Sequence, residues 1–285
     1  MTTTIMSDGE RKKVLSGLCL MDDIFFSMCF SGSRECTALL LRIILSRSDI
    51  TVEDVRVQKW MHSILSRSVK LDILARDGEG KLYNIEVQKD ERGAKRRRAR
   101  YYSSMIDASA LGKGEDYDTL PESYVIFITG KDALGDGQAM YEIERCILGT
   151  GESFNDGSHI VYVSSELTDS NTDLGRLMAD LRCTDPDAMH YNELRERVSF
   201  FKKDKEGIVS MSGEFERILE RAVRISEKEA LERGEKRGVE RGKSENKKEV
   251  ARNMLADGSI PLDKIAKFSG LTIAEVENLK QSIGQ

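Results

Sequence analysis

Two acidic residues stand at matching places in neighbouring predicted strands, and their chemistry suits a metal ion. Asp72 lies in segment 69–76 and Glu86 in segment 82–88. Apolar and polar side chains alternate in both segments, which is typical of strands that bury one face. Both acids belong to the polar, even-numbered set. Carboxylate oxygens are hard ligands that suit Mg²⁺ and other divalent cations, so this face is a candidate metal site.

The pairing register of the two strands follows from the same alternation. Both apolar sets share a face only if paired residue numbers sum to an even value, because a slip of one residue turns every side chain over. A sum of 158 leaves a three-residue loop ending at Gly80, which supplies the positive φ. Asp72 then faces Glu86, and Lys70 faces Gln88. Opposed carboxylates repel each other, so a divalent cation is the natural means of neutralising them.

A simpler interpretation of this polar face is an edge hairpin whose charges discourage aggregation. On the alternation alone, the two interpretations are equally good. A strongly basic segment follows the second strand, and residues 123–129 then form a near-continuous apolar run of the kind buried on both faces. The polar residues therefore lie in a slot of an α/β core, where unpaired charge is costly. This context favours the metal site.

The basic segment 89–100 carries seven Lys and Arg residues against two acids. It runs into a predicted helix over 94–111. Cations in the first turn oppose the helix dipole, which indicates an anionic partner. The alternative is a solvated run of charge. The residues that we expect to contact phosphate groups are Arg96, Arg97, Arg98, Arg100 and Tyr101.

Alternating helices and strands fill the remainder of residues 1–212, which predicts one α/β domain. Further helices are expected over 14–30, 34–46, 173–183 and 187–201, and further strands over 52–60, 141–148 and 159–164. Glu35 falls in the first turn of the second helix, where an acid is favourable whether or not it has another role.

The composition changes after residue 212. Residues 213–256 are highly charged, with glycines at 234, 238 and 242, and form either a helical arm that another helix can approach closely or a solvated linker. Residues 257–285 predict two short helices with a capping box at Thr272 and Glu275. Their outline is that of a helix-turn-helix. The second helix lacks early base-reading side chains, which favours a packing or oligomerisation module.

Bulk composition restricts the classes of protein to consider. The 285 residues carry a net charge of −5, so contact with nucleic acid requires a local basic patch. No apolar run approaches the length of a membrane span, and the first residues lack a signal-peptide core. Five cysteines without metal-ligand spacing indicate buried, reduced thiols in a cytoplasmic protein. The three histidines show no mutual spacing and are expected to be structural.

The order of these features resembles the PD-(D/E)XK nuclease superfamily, and more narrowly the bacterial recombination-promoting nuclease or putative transposase group. The resemblance spans about residues 22–165. It rests on Asp72, on Glu86-Val87-Gln88 in the next strand and on Arg100-Tyr101-Tyr102 in the following helix. The charged arm and the last helices also resemble that group's C-terminal region.

The resemblance implies a restriction-endonuclease-like core, a mixed sheet flanked by helices, followed by a helical C-terminal region. It implies Mg²⁺-dependent cleavage of DNA in recombination or transposition. Asp72 and Glu86 would bind the metal, and an acid on the first helix, here Glu35, would assist. The C-terminal helices would support a homo-oligomer. The alternative is a catalytically inactive DNA-binding or assembly protein that retains the fold.

The sequence departs from the superfamily pattern at Gln88, where a catalytic Lys is expected. Glutamine can orient a water molecule but carries no positive charge. It is usual at this place in the narrower group. We expect Lys70, opposite Gln88 in the predicted register, to restore the charge, although it could equally be a solvated edge residue.

Overall fold

The computed structural model describes residues 14–61, 68–210, 245–256 and 260–283. Contacts divide the chain into two units, Met1–Glu214 and Phe215–Gln285. The described strands are β1 (Val52–Met61), β2 (Val69–Asp77), β3 (Leu82–Gln88), β4 (Ser123–Thr129), β5 (Met140–Ile143) and β6 (Ser158–Ser164). The helices of the first unit are α1 (Asp23–Phe30), α2 (Arg34–Ile44), α3 (Arg96–Ala110), α4 (Asp173–Arg182), α5 (Asn192–Lys203) and α6 (Lys205–Ser210).

The six strands form one mixed sheet in the order β1-β2-β3-β4-β6-β5. Strands β3, β4 and β6 run parallel, and the pairs β1–β2, β2–β3 and β5–β6 are antiparallel. The parallel strands need crossover connections, and α3 supplies the one between β3 and β4. This sheet with flanking helices confirms the predicted α/β class.

The β2–β3 hairpin has the predicted register. Ile73 pairs with Ile85 and Ala75 with Tyr83, so that paired numbers sum to 158. Gly80 has a φ of +86° and donates its N–H to the Asp77 carbonyl at 3.1 Å. The alternation of apolar side chains was therefore sufficient to fix how these strands meet.

The core lies on both faces of the central strands. Nearly every residue of β3 and β4 is buried, as the apolar run at 123–129 predicts. Helix α3 covers one face by packing Ala99, Tyr102 and Ile106 into a cluster with Phe127. The basic helix is thus also amphipathic, with Arg98 partly buried and Arg96, Arg97 and Arg100 exposed.

Two predicted elements and one prediction about burial differ from what is observed. The helix expected over 14–30 is interrupted: the chain turns between Leu18 and Asp22, and α1 begins at Asp23. The strand expected over 141–148 ends at Ile143. Of the five free thiols, Cys146 is exposed, so the expectation of buried cysteines holds only in part.

The second unit contains helices α7 (245–256), α8 (Leu262–Ser269) and α9 (Ile273–Ile283). Ala251, Ile265, Ala266 and Val276 form its small core. Helix α7 lies at the end of segment 213–256, for which the sequence allows both a helical arm and a solvated linker, and it packs with the two C-terminal helices. The predicted capping box is present, because Thr272 and Glu275 exchange backbone-to-side-chain hydrogen bonds. The three glycines of the arm lie outside the described residues.

Among the described helices, none combines the length and the apolar composition that crossing a membrane requires.

Candidate active site

Asp72 and Glu86 lie where β2 and β3 stop pairing through their backbones. The ladder ends at Ile73 and Ile85. Beyond it, the Asp72 N–H donates to Glu86 Oε1 at 3.1 Å, and the Val87 N–H donates to Asp72 Oδ2 at 3.1 Å. The two side chains replace backbone carbonyls as acceptors. These two hydrogen bonds fix the orientation of both carboxylates. Each carboxylate uses one oxygen in them, and its second oxygen takes no part in the exchange.

Burial makes the negative charge of this pair costly. The Glu86 side chain is 0% exposed, and burial, followed by repulsion from Asp72, raises its pKa well above the usual value. Burial also raises the pKa of Asp72 to about 6, with a contribution from the charge of Asp23. A site that holds two such groups favours either a proton or a bound cation at neutral pH.

Arg98, on α3, is the cation that reaches this pair. Its guanidinium donates to Glu86 Oε2 at 3.1 Å and to Gln88 Oε1 at 3.2 Å. Further hydrogen bonds to the Gly93 carbonyl and the Tyr102 hydroxyl, both at 2.8 Å, fix its orientation. The guanidinium also lies 4.8 Å from the centre of the Tyr102 ring. Arg98 therefore links the buried carboxylate, the glutamine and the helix.

Gly93 permits the approach of Gln88 to this cluster. A Cβ on Gly93 would lie 2.1 Å from Gln88 Oε1. The space is thus available only to a residue without a side chain. Gln88 accepts from Arg98 through its oxygen, which leaves its amide nitrogen as a hydrogen-bond donor.

The hydrogen bond of Lys70 is with Gln58 and not with Gln88, the residue that the predicted register places opposite it. Its ammonium donates to Gln58 Oε1 at 2.6 Å, on β1. The pairing register is as predicted where β2 and β3 are joined, but the strands part before Lys70 and Gln88. Lys70 then turns to the neighbouring strand, and its charge acts on Asp72 only at a distance.

Glu35 lies exposed in the first turn of α2, and Ser33 caps that turn through the Cys36 N–H. The first-helix acid whose charge acts on Asp72 is Asp23 instead. Its neighbour Asp22 forms an ion pair with Lys89, directly after β3. The sequence feature that could have predicted this position is the pair Asp22 and Asp23 inside the otherwise apolar segment 14–30, because two adjacent acids there indicate an interruption of the helix.

The basic residues of α3 fall into two groups. Arg96, Arg97 and Arg100 are exposed, whereas Arg98 is about one-third exposed and is directed into the carboxylate site. Tyr101 is partly buried. A role of the exposed arginines in contacting phosphate stays a prediction, and Arg98 acquires a role that the sequence pattern did not indicate.

The residues present suit a Mg²⁺-like ion. Asp72 and Glu86 provide hard oxygen ligands in a slot where their repulsion is only partly compensated. In the described part of the chain, no set of three His, Cys, Asp or Glu side chains is gathered to hold a metal. A bound ion would therefore complete its shell with waters, backbone oxygens and substrate phosphate, which is how Mg²⁺ is usually held.

Comparison with known protein families agrees with this geometry. The family model described as PD-(D/E)XK nuclease family transposase matches residues 21–248, about four-fifths of the chain. The matched range includes the whole sheet, the carboxylate pair and α3. Searches among curated proteins and among solved structures found no match.

Proposed function

The chain belongs to the PD-(D/E)XK nuclease family transposases, and from this premise we propose that it is a Mg²⁺-dependent DNA endonuclease acting in recombination or transposition. The observation that carries the proposal is the exchange of hydrogen bonds between the carboxylates of Asp72 and Glu86 and the backbones of the opposite strands. It holds a buried acid and a partly buried acid side by side, at a cost that a metal ion would remove.

In this proposal Asp72 and Glu86 hold the ion. A bound Mg²⁺ lowers the pKa of its water and stabilises charge on the scissile phosphate. Arg98 favours the ionised form of Glu86 and fixes the oxygen of Gln88. The amide nitrogen of Gln88 is then a donor for the attacking water or a phosphate oxygen. The charge that glutamine lacks is supplied from α3.

The exposed arginines of α3 would contact the DNA backbone. Arg96, Arg97 and Arg100 are exposed on the helix that also carries Arg98. Their contribution is electrostatic, so binding should weaken steeply as salt concentration rises. Asp23 is a further acid whose charge acts on Asp72, and it would add negative charge near a bound ion.

A second candidate function is DNA binding or assembly without cleavage. The observation that favours it is the occupation of Glu86 Oε2 by Arg98. An internal cation that neutralises the carboxylate would compete with a metal ion. The small helical core of the second unit would then support oligomerisation as the main role.

Nicking of supercoiled plasmid in Mg²⁺ separates these candidates. We expect nicking by the wild type and at least a 100-fold loss in Asp72→Asn and in Glu86→Gln. Glu142→Gln is the matched control, because Glu142 lies exposed on the distant edge strand β5. Failure of the wild type to nick would favour the second candidate. Equal nicking by all variants would show that the carboxylate pair is not the active site.

A further inference from the structure

Trp60 is an unusual surface residue. It is the only tryptophan of the chain, and it is 53% exposed at the end of edge strand β1. Tryptophan carries a large apolar ring that is normally largely buried. An exposed ring on a sheet edge is therefore a candidate contact surface.

The groove beside Trp60 is basic. It encloses about 400 Å³ between the β1–β2 ribbon and the last turns of α3. Its cationic lining residues are Arg56, Lys59 and Arg76, and among the described residues that line it there is no Asp or Glu. Asp54, outside the lining, forms an ion pair with Arg56. The remaining lining is apolar or small, so the groove offers positive charge around an aromatic ring.

The groove lies on the face of the sheet that carries Asp72. Trp60 pairs with Lys70, two residues before Asp72 on β2, and Arg56 pairs with Leu74, two residues after it. Residues two apart on a strand share a face. A diagonal neighbour on the adjacent strand lies about 7–8 Å away. A nucleic-acid strand that follows the groove toward Trp60 would thus approach Asp72, which shares this face but does not line the groove.

Pairing of two β1 edges from separate copies is the competing explanation for an exposed edge. Two features of β1 oppose it. Its register shifts between Val52 and Asp54, and Gln58 has a positive φ of 50°, so the edge is irregular. Arg56 and Lys59 also place like charges along it, a known obstacle to edge-to-edge pairing.

We propose that this groove binds a single-stranded stretch of the DNA substrate, with one unpaired base stacked on the Trp60 indole and the flanking phosphates contacted by Arg56 and Arg76. The proposal rests on DNA being the substrate, and it adds a preference for DNA with unpaired bases over continuous duplex. Aromatic stacking within a basic groove is how proteins bind single strands without reading sequence. The bases of a continuous duplex are stacked on each other, so none of them is available to stack on the indole ring of Trp60.

Fluorescence of the single tryptophan reports on this contact directly. Full-length protein in EDTA, where nothing is cleaved, is titrated with a 20-nucleotide oligo(dT) and with a blunt duplex of the same length. Anisotropy of a label on the DNA measures binding independently. We expect oligo(dT) to quench Trp60 emission as it binds, and the duplex to leave the emission unchanged.

Substitutions give a second reading of the same proposal. Trp60→Leu should weaken oligo(dT) binding by about 5- to 150-fold, the loss associated with one stacked base, and should change duplex binding less than twofold. Phe154→Leu is the matched control, since Phe154 is 58% exposed and does not line this groove. Arg76→Gln should reduce the slope of log affinity against log salt by about 0.7.

The proposal is overturned if oligo(dT) does not bind, if it binds without changing the emission, or if Trp60→Leu and Phe154→Leu bind it equally. It is also overturned if emission varies with protein concentration before DNA is added, because that would indicate contact between copies. These measurements need no cleavage. If oligo(dT) quenches Trp60 in a protein that does not nick DNA, the groove proposal holds and the nuclease proposal fails. If Trp60→Leu nicks every DNA as the wild type does, the nuclease proposal holds and the groove proposal fails.

Discussion

Replacement of Arg98 by methionine tests whether this residue is the counter-ion of the buried Glu86. Methionine keeps much of the length and the apolar stem but removes every hydrogen bond of the guanidinium. Breaking a buried ion pair costs about 3–5 kcal/mol, and the partial exposure of Arg98 lowers the expected loss to about 2–4 kcal/mol at pH 8. Glu86 is 0% exposed, so it has no access to water as a substitute.

The cost should depend on pH in a defined direction. Burial raises the pKa of Glu86, and Arg98 opposes that rise. Without Arg98 the folded state holds its proton to higher pH, so the stability lost by Arg98→Met increases as pH rises. Toward pH 5 the ionic contribution of the pair shrinks, the loss comes increasingly from the hydrogen bonds to Gly93, Tyr102 and Gln88, and the cost should fall to about 1–2 kcal/mol.

Urea unfolding followed by Trp60 fluorescence measures this, because the single tryptophan lies in the first unit. The free energy of unfolding is compared at pH 5 and pH 8 for the wild type, Arg98→Met, Glu86→Gln and the double variant. A coupling energy of about 1–3 kcal/mol between the two sites is expected at pH 8. A loss that is the same at both pH values and unchanged in the Glu86→Gln background would refute the counter-ion role.

Three further predictions follow from the same site. Without metal, the first unit should lose stability as pH rises from 4 through about 6, because the pKa of Asp72 is raised in the folded state; Mg²⁺ should raise the melting temperature at pH 8 more than at pH 5, and Asp72→Asn should abolish that increase. Gly93→Ala should cost less than about 1.5 kcal/mol in urea unfolding, because the Gln88 side chain can rotate away from the new Cβ by giving up its hydrogen bond with Arg98, and this displacement of Gln88 should reduce plasmid nicking at least tenfold. Lys70→Ala should nick plasmid within twofold of the wild type, because Lys70 is exposed and hydrogen-bonded to Gln58; a loss as large as that of Asp72→Asn would return Lys70 to the active site.

The hairpin could be predicted from sequence because its determinants are local. Side-chain alternation fixed the parity of pairing, and Gly80 fixed the length of the loop. The same reasoning predicted that the two acids, Asp72 and Glu86, lie on one face of the hairpin. No longer-range information was needed, since both strands and their turn lie within twenty residues.

The other groups at the site depended on how distant elements pack. In the sequence, Arg98 cannot be distinguished from the neighbouring arginines. The structure distinguishes it, because the orientation of α3 about its axis places Tyr102 in the core and Arg98 beside Glu86. Asp23 was hidden inside a segment that appeared continuously helical. Its position depends on where the chain turns, between Leu18 and Asp22, and the apolar pattern of that segment does not specify the turn.

The hydrogen bonds that the Asp72 and Glu86 side chains accept from the opposite strands determine which substitutions of these acids the fold would tolerate. An alanine at either position would leave a buried backbone N–H without an acceptor, at about 1–3 kcal/mol. Asparagine and glutamine would keep the acceptor oxygen and remove the buried charge. Asparagine at position 72 would therefore hold the strands without the cost of the carboxylate charge, whereas glutamine at position 86 would do so only by giving up the ion pair with Arg98. The fold should thus tolerate loss of the acid at position 72 more easily than loss of the acid at position 86.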